Sequence, residues 1–417
     1  MSGVRIRSME AIAILDSRAV PTLRVTTHLS DGAIGVASAP SGKSTGKREK
    51  RELRDGGAPY GGLGVERALA NVRGPIARKF VGMSIGDPRG LDQDLVDLDG
   101  TLDRSNLGAN AMVAASMSFW RAAAASQRVP LWRYFASERS ASIPIPLPLF
   151  NVINGGAHAV GGLRLQEMML VPHGLKAIGE RIRCGAEIYA ALRREFATRG
   201  LSTAVGDEGG LVYTNGRATD AIAILCTAIE KAGYHVGTDV SLAIDAAANG
   251  FCDEDGIYSP EPGLRYSSDE MNAWWGALIA SAPLVMLEDP LGEDDVDAWV
   301  SLTERVGNKI IIVGDDNFVT DPLRIRNAIR VGAANAALLK PNQIGTISET
   351  LEAAAEARRG GYRVVVSHRS GETADSFISD LAVGIGADYI KAGAPVRSER
   401  VEKYNRLLEI YEECMRT

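Results

Sequence analysis

The sequence predicts an α/β protein, a βα barrel preceded by a smaller α+β domain, and three observations carry that prediction. The chain has 417 residues and is 45% hydrophobic, enough for a large core and too long for one average domain. Its second half repeats short β-branched runs that each end in a polar residue, with helical stretches between the later ones. Its first part opens instead with alternating strand-like runs and continues at helical spacing, the order of an α+β unit.

Residues 4–36 carry VRIRSMEAIAIL, TLRVTTHL and a turn at Asp31-Gly32, which reads as two or three antiparallel strands. Residues 40–63 are rich in Gly, Lys and Arg and read as a mobile surface loop. From about residue 65 to 136 apolar residues recur at helical spacing, and AMVAASMSFWRAAAA (111–125) is helical by propensity. ASIPIPLPLF (141–150) has three alternating prolines and predicts an extended crossing. The domain boundary is placed there, with 1–138 a capping α+β domain and 139–417 the barrel.

Beyond it, LRLQEMML reads as a strand carrying Gln166 and Glu167. Then come SLAID, LVMLED, IIIVGDD, NAALLK, RVVVSHR and YIKAG, ending at Asp245, Glu288, Asp315, Lys340, His368 and Lys391. From Glu288 the intervals are 27, 25, 28 and 23 residues, each about one βα unit. In a βα barrel the strands' C-terminal ends form one mouth, so these six side chains are expected to converge.

Net charge is −6, without the basic balance that marks nucleic-acid binders. The four cysteines form no CxxC pair, which suits a reducing compartment, and no apolar run reaches the length of a membrane span. A cytoplasmic protein with no nucleic-acid or membrane partner is expected.

Three carboxylates at one mouth suit a hard cation, Mg2+ or Mn2+, rather than zinc. Two lysines beside them suggest a base and a charge clamp, with a neighbouring ammonium and bound divalent ions lowering the pKa of the base. A proton taken from carbon beside a carboxylate leaves an enolate, whose extra negative charge metal ions stabilise. VGDEGG (205–210) sets Glu208 between glycines as a candidate general acid, and INGGAHAVGG (153–162), with His158, reads as a glycine-hinged lid. APSGKSTG lacks the first glycine of a P-loop, since position 37 is alanine, and GGLG (61–64) lacks a strand-then-helix setting.

The motifs PSGKSTG, LRDGG, LGAN, NVINGGAHA, GDEGG, LEDP, VGDD, LLKPNQIGT, SHRSGET and KAGAPVRSER strongly resemble the enolase (phosphopyruvate hydratase) family from residue 15 to 410. The resemblance implies a TIM-like ββαα(βα)6 barrel and reversible dehydration of 2-phosphoglycerate, a small phosphorylated hydroxy acid, with two Mg2+ per active site. It makes Asp245, Glu288 and Asp315 ligands of the first metal, and Ser41 the residue closing over the second. Lys340 becomes the base at C2, and Glu208, with Glu167 beside it, the acid at C3. Lys391 holds the substrate carboxylate, Arg369 and Ser370 contact phosphate, and His158 and Gln166 are lid and substrate contacts. His368 stands beside the phosphate-binding arginine, either touching substrate or orienting its neighbour. A homodimer or higher homo-oligomer is implied.

The chain departs from the family pattern in its lids and supporting residues: PSGAST reads PSGKST, placing Lys43 in the closing loop, LLKVNQ reads LLKPNQ, and KTGAP reads KAGAP. Two further readings therefore stand beside the dehydratase. One is a specialised paralogue such as carboxyphosphonoenolpyruvate synthase of phosphonate antibiotic biosynthesis, using an activated phosphonoformate. The other is a non-catalytic paralogue, against which the intact Glu208, Lys340 and carboxylates argue.

Overall fold

The computed structural model describes residues 3–43, 46–136, 144–159, 161–214 and 216–415. The chain begins with three antiparallel strands, β1 (Ile6–Leu15), β2 (Pro21–Leu29) and β3 (Ile34–Ser38), paired in that order. Helices α1 (Pro88–Asp99) and α2 (Ala109–Ser126) follow after shorter helical turns. Asp87 caps α1 by accepting from the Arg89 N–H, with Pro88 at the first helical position, where a missing N–H costs nothing. Nearly every side of α2 is buried, which an alanine-rich helix with a single charged residue, Arg121, allows. It lies so close to the sheet that a Cβ at Gly35 would sit 2.0 Å from the Ser118 carbonyl oxygen, so only glycine fits there.

The expected boundary at 138/139 lies outside the described residues. Past it the barrel closes. Its strands are β4 (Leu147–Asn154), β5 (Glu167–Val171), β6 (Ser241–Asp245), β7 (Leu284–Glu288), β8 (Ile311–Gly314), β9 (Ala336–Leu339), β10 (Arg363–Ser367) and β11 (Tyr389–Lys391). They pair in chain order, and β11 returns to β4. β5 alone runs antiparallel to its neighbours on both sides. Two helices, α3 (Ile178–Thr198) and α4 (Ala218–Lys231), intervene before β6. From β6 onward each strand is followed by a principal helix: α5 (Ser268–Ser281), α6 (Val296–Val306), α7 (Pro322–Val331), α8 (Ile347–Arg359), α9 (Phe377–Ile385) and α10 (Ser398–Met415). This is the ββαα(βα)6 order the resemblance implied.

Strand periodicity builds the mouth. Met169, Ala243, Met286, Val313 and Leu338 fill the barrel interior as one apolar cluster. Side chains two residues apart on a strand share a face, so the same inward row ends in Glu167, Asp245, Glu288, Asp315 and Lys340. Because β5 runs backwards, it is its first residue, Glu167, that reaches the mouth, in register with Asp245, which is in register with Glu288.

The first part is locked onto the barrel by buried polar contacts. Arg121 of α2 donates two hydrogen bonds, 2.7 and 2.8 Å, to Asp375, which also accepts from the Ser38 N–H. Arg104 pairs with Glu349 at 2.7 Å. Asp375→Ala leaves the largely buried Arg121 charge without its fork partner and is expected to cost on the order of 3 kcal/mol. Thermal or urea unfolding checks this, and a loss below about 0.5 kcal/mol would contradict the account.

Candidate active site at the barrel mouth

Ten of the thirteen sequence-nominated residues meet through direct contacts centred on two lysines and a histidine pair. Lys391 Nζ lies 2.9 Å from Glu167, 3.0 Å from Asp245 and 2.9 Å from Glu288. Strands β7 and β11 are four apart in a ring of eight, so this ammonium reaches across the barrel to its opposite strand. Lys340 pairs with Asp315, whose other oxygen accepts from Gln343 at 2.8 Å. His158 Nδ1 stands 3.5 Å from both Glu167 and Glu208. His368 Nε2 is 3.3 Å from Glu208, and Asn151 donates to Glu208 at 2.8 Å. Gln166 approaches Asp245 at 3.4 Å.

Arg369 and Ser370 line the same cavity, whose free volume is only about 10 Å3, room for a single water at most. The ion pairs therefore fill the mouth, and any substrate must part them. Arg369 is already held bidentately by Glu49, at 2.9 and 3.1 Å, and donates to Asn342 at 2.9 Å. Ser41 is buried but is not brought to the carboxylates. Its hydroxyl donates to Asp16 at 2.8 Å and accepts from Arg18 at 3.0 Å, and its backbone bridges Gly371. Segment 40–63, read as a mobile surface loop, is irregular but tethered: Glu49 binds Arg369, and the Lys50 N–H donates to the Gln343 carbonyl. Three of its basic side chains pair with carboxylates on neighbouring loops. Lys43 reaches Asp207 at 2.8 Å, with 41% of its side chain exposed, and Lys47 and Arg48 face Glu293 and Asp294.

Residues the sequence reading passed over complete the site. Arg400, fully buried, donates to His368 Nδ1 at 2.6 Å and to the carbonyls of Arg369 and Ser370 at 2.6 and 2.7 Å. A guanidinium only donates, so Nδ1 of His368 must accept and its proton sits on Nε2, facing Glu208. Asp289 accepts from the backbone N–H of Asp315 and of Asp316, both at 2.9 Å. Asp289, Gln343 and Arg400 all lie within motifs already noted, LEDP, LLKPNQIGT and RSER, which was the available signal. Pro341, a departure from the family pattern, is explained locally: it opens the helical turn Pro341–Ile344, where no N–H is needed.

Burial and crowded negative charge set the titration of the site. Burial first, then the Asp245 charge, pushes Glu288 up to about 8 against the pull of Lys391. Asp316 rises to about 7 by burial and the Asp315 charge, and Asp289 is also raised, by burial and Asp316. Burial and the neighbouring Glu208 charge hold Glu167 well above the usual carboxylate range. Glu208 goes the other way: burial works to raise it, and His158, His368 and Arg400 outweigh that. Burial lowers His368 to about 4 and lowers His158 too, so both imidazoles are neutral at pH 7. The two carboxyls flanking His158 are thus pushed in opposite directions, Glu167 up and Glu208 down. Lys340 departs from expectation. Burial works to lower it, but contact with Asp315 wins and its pKa is raised, because the neighbouring carboxylate stabilises the ammonium.

The donor set fits a hard divalent cation. Asp245, Glu288 and Asp315 offer only oxygens, and the raised carboxyl groups record an excess of negative charge that a cation would relieve. The described residues also include two groups with the spacing of metal ligands, His158 with Glu167 and Glu208, and Asp289 with Asp315 and Asp316.

A mixed βα barrel whose mouth unites paired carboxyls, two lysines and a buried guanidinium fits a lyase that works by proton abstraction and loss of a hydroxyl. Comparison with known proteins agrees. The family described as "Enolase, C-terminal TIM barrel domain" matches residues 142–417, and "Enolase, N-terminal domain" matches residues 6–135. The protein named "Enolase" from Mycobacterium leprae (strain TN) is 48% identical over 408 residues, covering 98% of this chain and 94% of that relative. The chain belongs to the enolase family and is an enolase-type hydro-lyase.

The Glu288 shift has a definite sign. In the unfolded chain this carboxyl releases its proton near the ordinary 4.5, whereas the folded chain keeps it to about 8. Its contribution to stability is complete below the unfolded value and is lost as pH rises through about 8. In divalent-free buffer, Tm is expected to fall from about pH 5 to about pH 9, and Glu288→Gln to flatten part of that slope. An identical slope in the variant would contradict the assignment.

Proposed function

We propose that the chain catalyses the reversible, Mg2+-dependent dehydration of 2-phosphoglycerate to phosphoenolpyruvate. One observation carries the reading: β9, which presents Lys340, lies opposite β5, which presents Glu167, in the eight-strand ring. A substrate held between them meets an amine on one face and the Glu167–Glu208 pair on the other. That is the arrangement for removing the C2 proton from one side while the C3 hydroxyl leaves, protonated, on the other. Bound Mg2+ would be held by Asp245, Glu288 and Asp315, with a second ion near Ser41, and would supply charge stabilisation for the enolate. Lys391 would meet the substrate carboxylate, and Arg369 and Ser370 the phosphate, Arg369 exchanging Glu49 for it. His158 and Gln166 would serve as lid and substrate contacts, while the tautomer imposed by Arg400 makes His368 an orienting partner of Glu208. The name of the M. leprae relative supports the same activity.

Nothing in the comparisons favours the phosphonate-transfer reading, and Lys43 meets Asp207 rather than Arg369 or Ser370. A homodimer or higher assembly is part of the proposal, and exposed Ile12, Ile34 and Val36, on one face of the first sheet, offer apolar surface for it. Among the described residues no helix is long and apolar enough to cross a membrane.

With Mg2+ and 2-phosphoglycerate the protein is expected to generate phosphoenolpyruvate absorbance, and chelation to abolish it. Lys340→Ala should slow exchange of the C2 proton with solvent by at least about a hundredfold. Glu208→Gln should retain that exchange while losing dehydration. Unchanged C2 exchange in Lys340→Ala would remove it as the base, and a wild-type protein inert toward 2-phosphoglycerate would end the proposal.

A further inference from the structure

Lys43 takes part in none of the steps above, yet it joins two segments that must act together. Its amine pairs with Asp207, 164 positions along the chain, at 2.8 Å. On the Lys43 side, the described residues 41–43 and 46–51 form a strap at the mouth. Ser41 bridges Gly371, Glu49 grips Arg369, Lys50 binds the Gln343 carbonyl, and Arg51 binds the Asp103 carbonyl. On the other side, Asp207 immediately precedes Glu208 in a turn closed by the Gly206 N–H donating to the Gly210 carbonyl, with Gly209 at φ 87°.

That turn is tethered through its backbone as well as through the Glu208 carboxylate, which Asn151 and the two histidines face. The Asp207 carbonyl accepts from Arg397 and Arg400 at 3.3 and 3.2 Å, and the Glu208 carbonyl from the Ala394 N–H at 3.0 Å. Among the described residues, the Lys43–Asp207 pair is the one side-chain link between the strap and the turn. Its side chains are 41% and 27% exposed. Its energy is accordingly that of a screened surface pair.

We propose that Lys43 is a positioning residue for Glu208: through Asp207 it ties the segment that grips Arg369 to the acid-bearing turn and so helps to hold the carboxyl in line. The inference rests on the proposed dehydration for its catalytic consequence, but its structural content is independent of it. Removing the tie loosens residues 205–210 and slows the step that needs Glu208 more than the step that needs Lys340.

Hydrogen–deuterium exchange of the full chain and turnover of 2-phosphoglycerate test the two parts. In Lys43→Ala, amide exchange across 205–212 is expected to quicken about three- to fivefold, the range of a screened ion pair. Dehydration should fall by a similar factor, with the ratio of C2 exchange to dehydration rising and KM changing less than kcat. The wild-type rate should decline from low to high ionic strength, and the variant should lose that dependence. Swapping the charges, Lys43→Asp with Asp207→Lys, should restore both readouts. Unchanged amide exchange at 205–212, or an equal loss of C2 exchange and dehydration, would overturn the proposal. A wild-type chain inactive on 2-phosphoglycerate counts against the dehydratase reading, and the amide-exchange arm with its charge-swap rescue then decides the Lys43 inference by itself.

Discussion

Charges buried at the mouth must neutralise one another, and the rest of the site is arranged around that requirement. Glu167, Asp245 and Glu288 arrive on three adjacent strands and share the Lys391 ammonium. Asp315 takes Lys340. Removing one member of such a group leaves its partners as uncompensated charge in a poor solvent, a cost of about 3–5 kcal/mol. The compensation is incomplete, as the raised Glu288, Asp316 and Asp289 carboxyls record. A barrel mouth with this residual negative charge is poised for a divalent cation, and its lysines are held until substrate and cation take over their partners.

The site is not a property of the barrel alone. Glu49, from the segment between β3 and the first helices, occupies the fork of Arg369, and Asp16 and Arg18 fix Ser41 against Gly371. Arg121 and Asp375 bind the same two parts a short distance along the loop that follows Ser370. The capping part therefore supplies side chains to the mouth as well as covering it, which explains why its polar loop is tethered at so many points.

Backbone strain gathers at the strand ends. Ala247, two residues after Asp245, has φ 44°, and Asp289, directly after Glu288, has φ 42°. Val319 and Thr320, in the loop after β8, are also left-handed, a costly state for β-branched residues. At Asp289 the restraint is visible: two backbone N–H groups of the next loop hold its carboxylate. Bending the chain there turns the loops outward while the last inward side chain stays aimed at the axis.

Much of this was legible in the residues themselves. Period-two runs ending in a charged residue, spaced by one βα unit, were sufficient to place Asp245, Glu288, Asp315, Lys340 and Lys391 on one mouth, because strand alternation and the parallel barrel together admit no other destination. Glu208 and Glu167 were marked by their glycine-flanked turn and strand. What no pattern in the chain could give was pairing at a distance. The reversal of β5 that sets Glu167 beside Asp245, the grip of Glu49 on Arg369, the tautomer that Arg400 imposes on His368 and the raised Lys340 each arise from groups separated by tens to hundreds of positions. Local composition determined which side chains point inward, since that follows from backbone geometry within a strand. Only the closed tertiary structure decided which charges meet, because hydrogen bonding and desolvation depend on neighbours that the order of residues does not name.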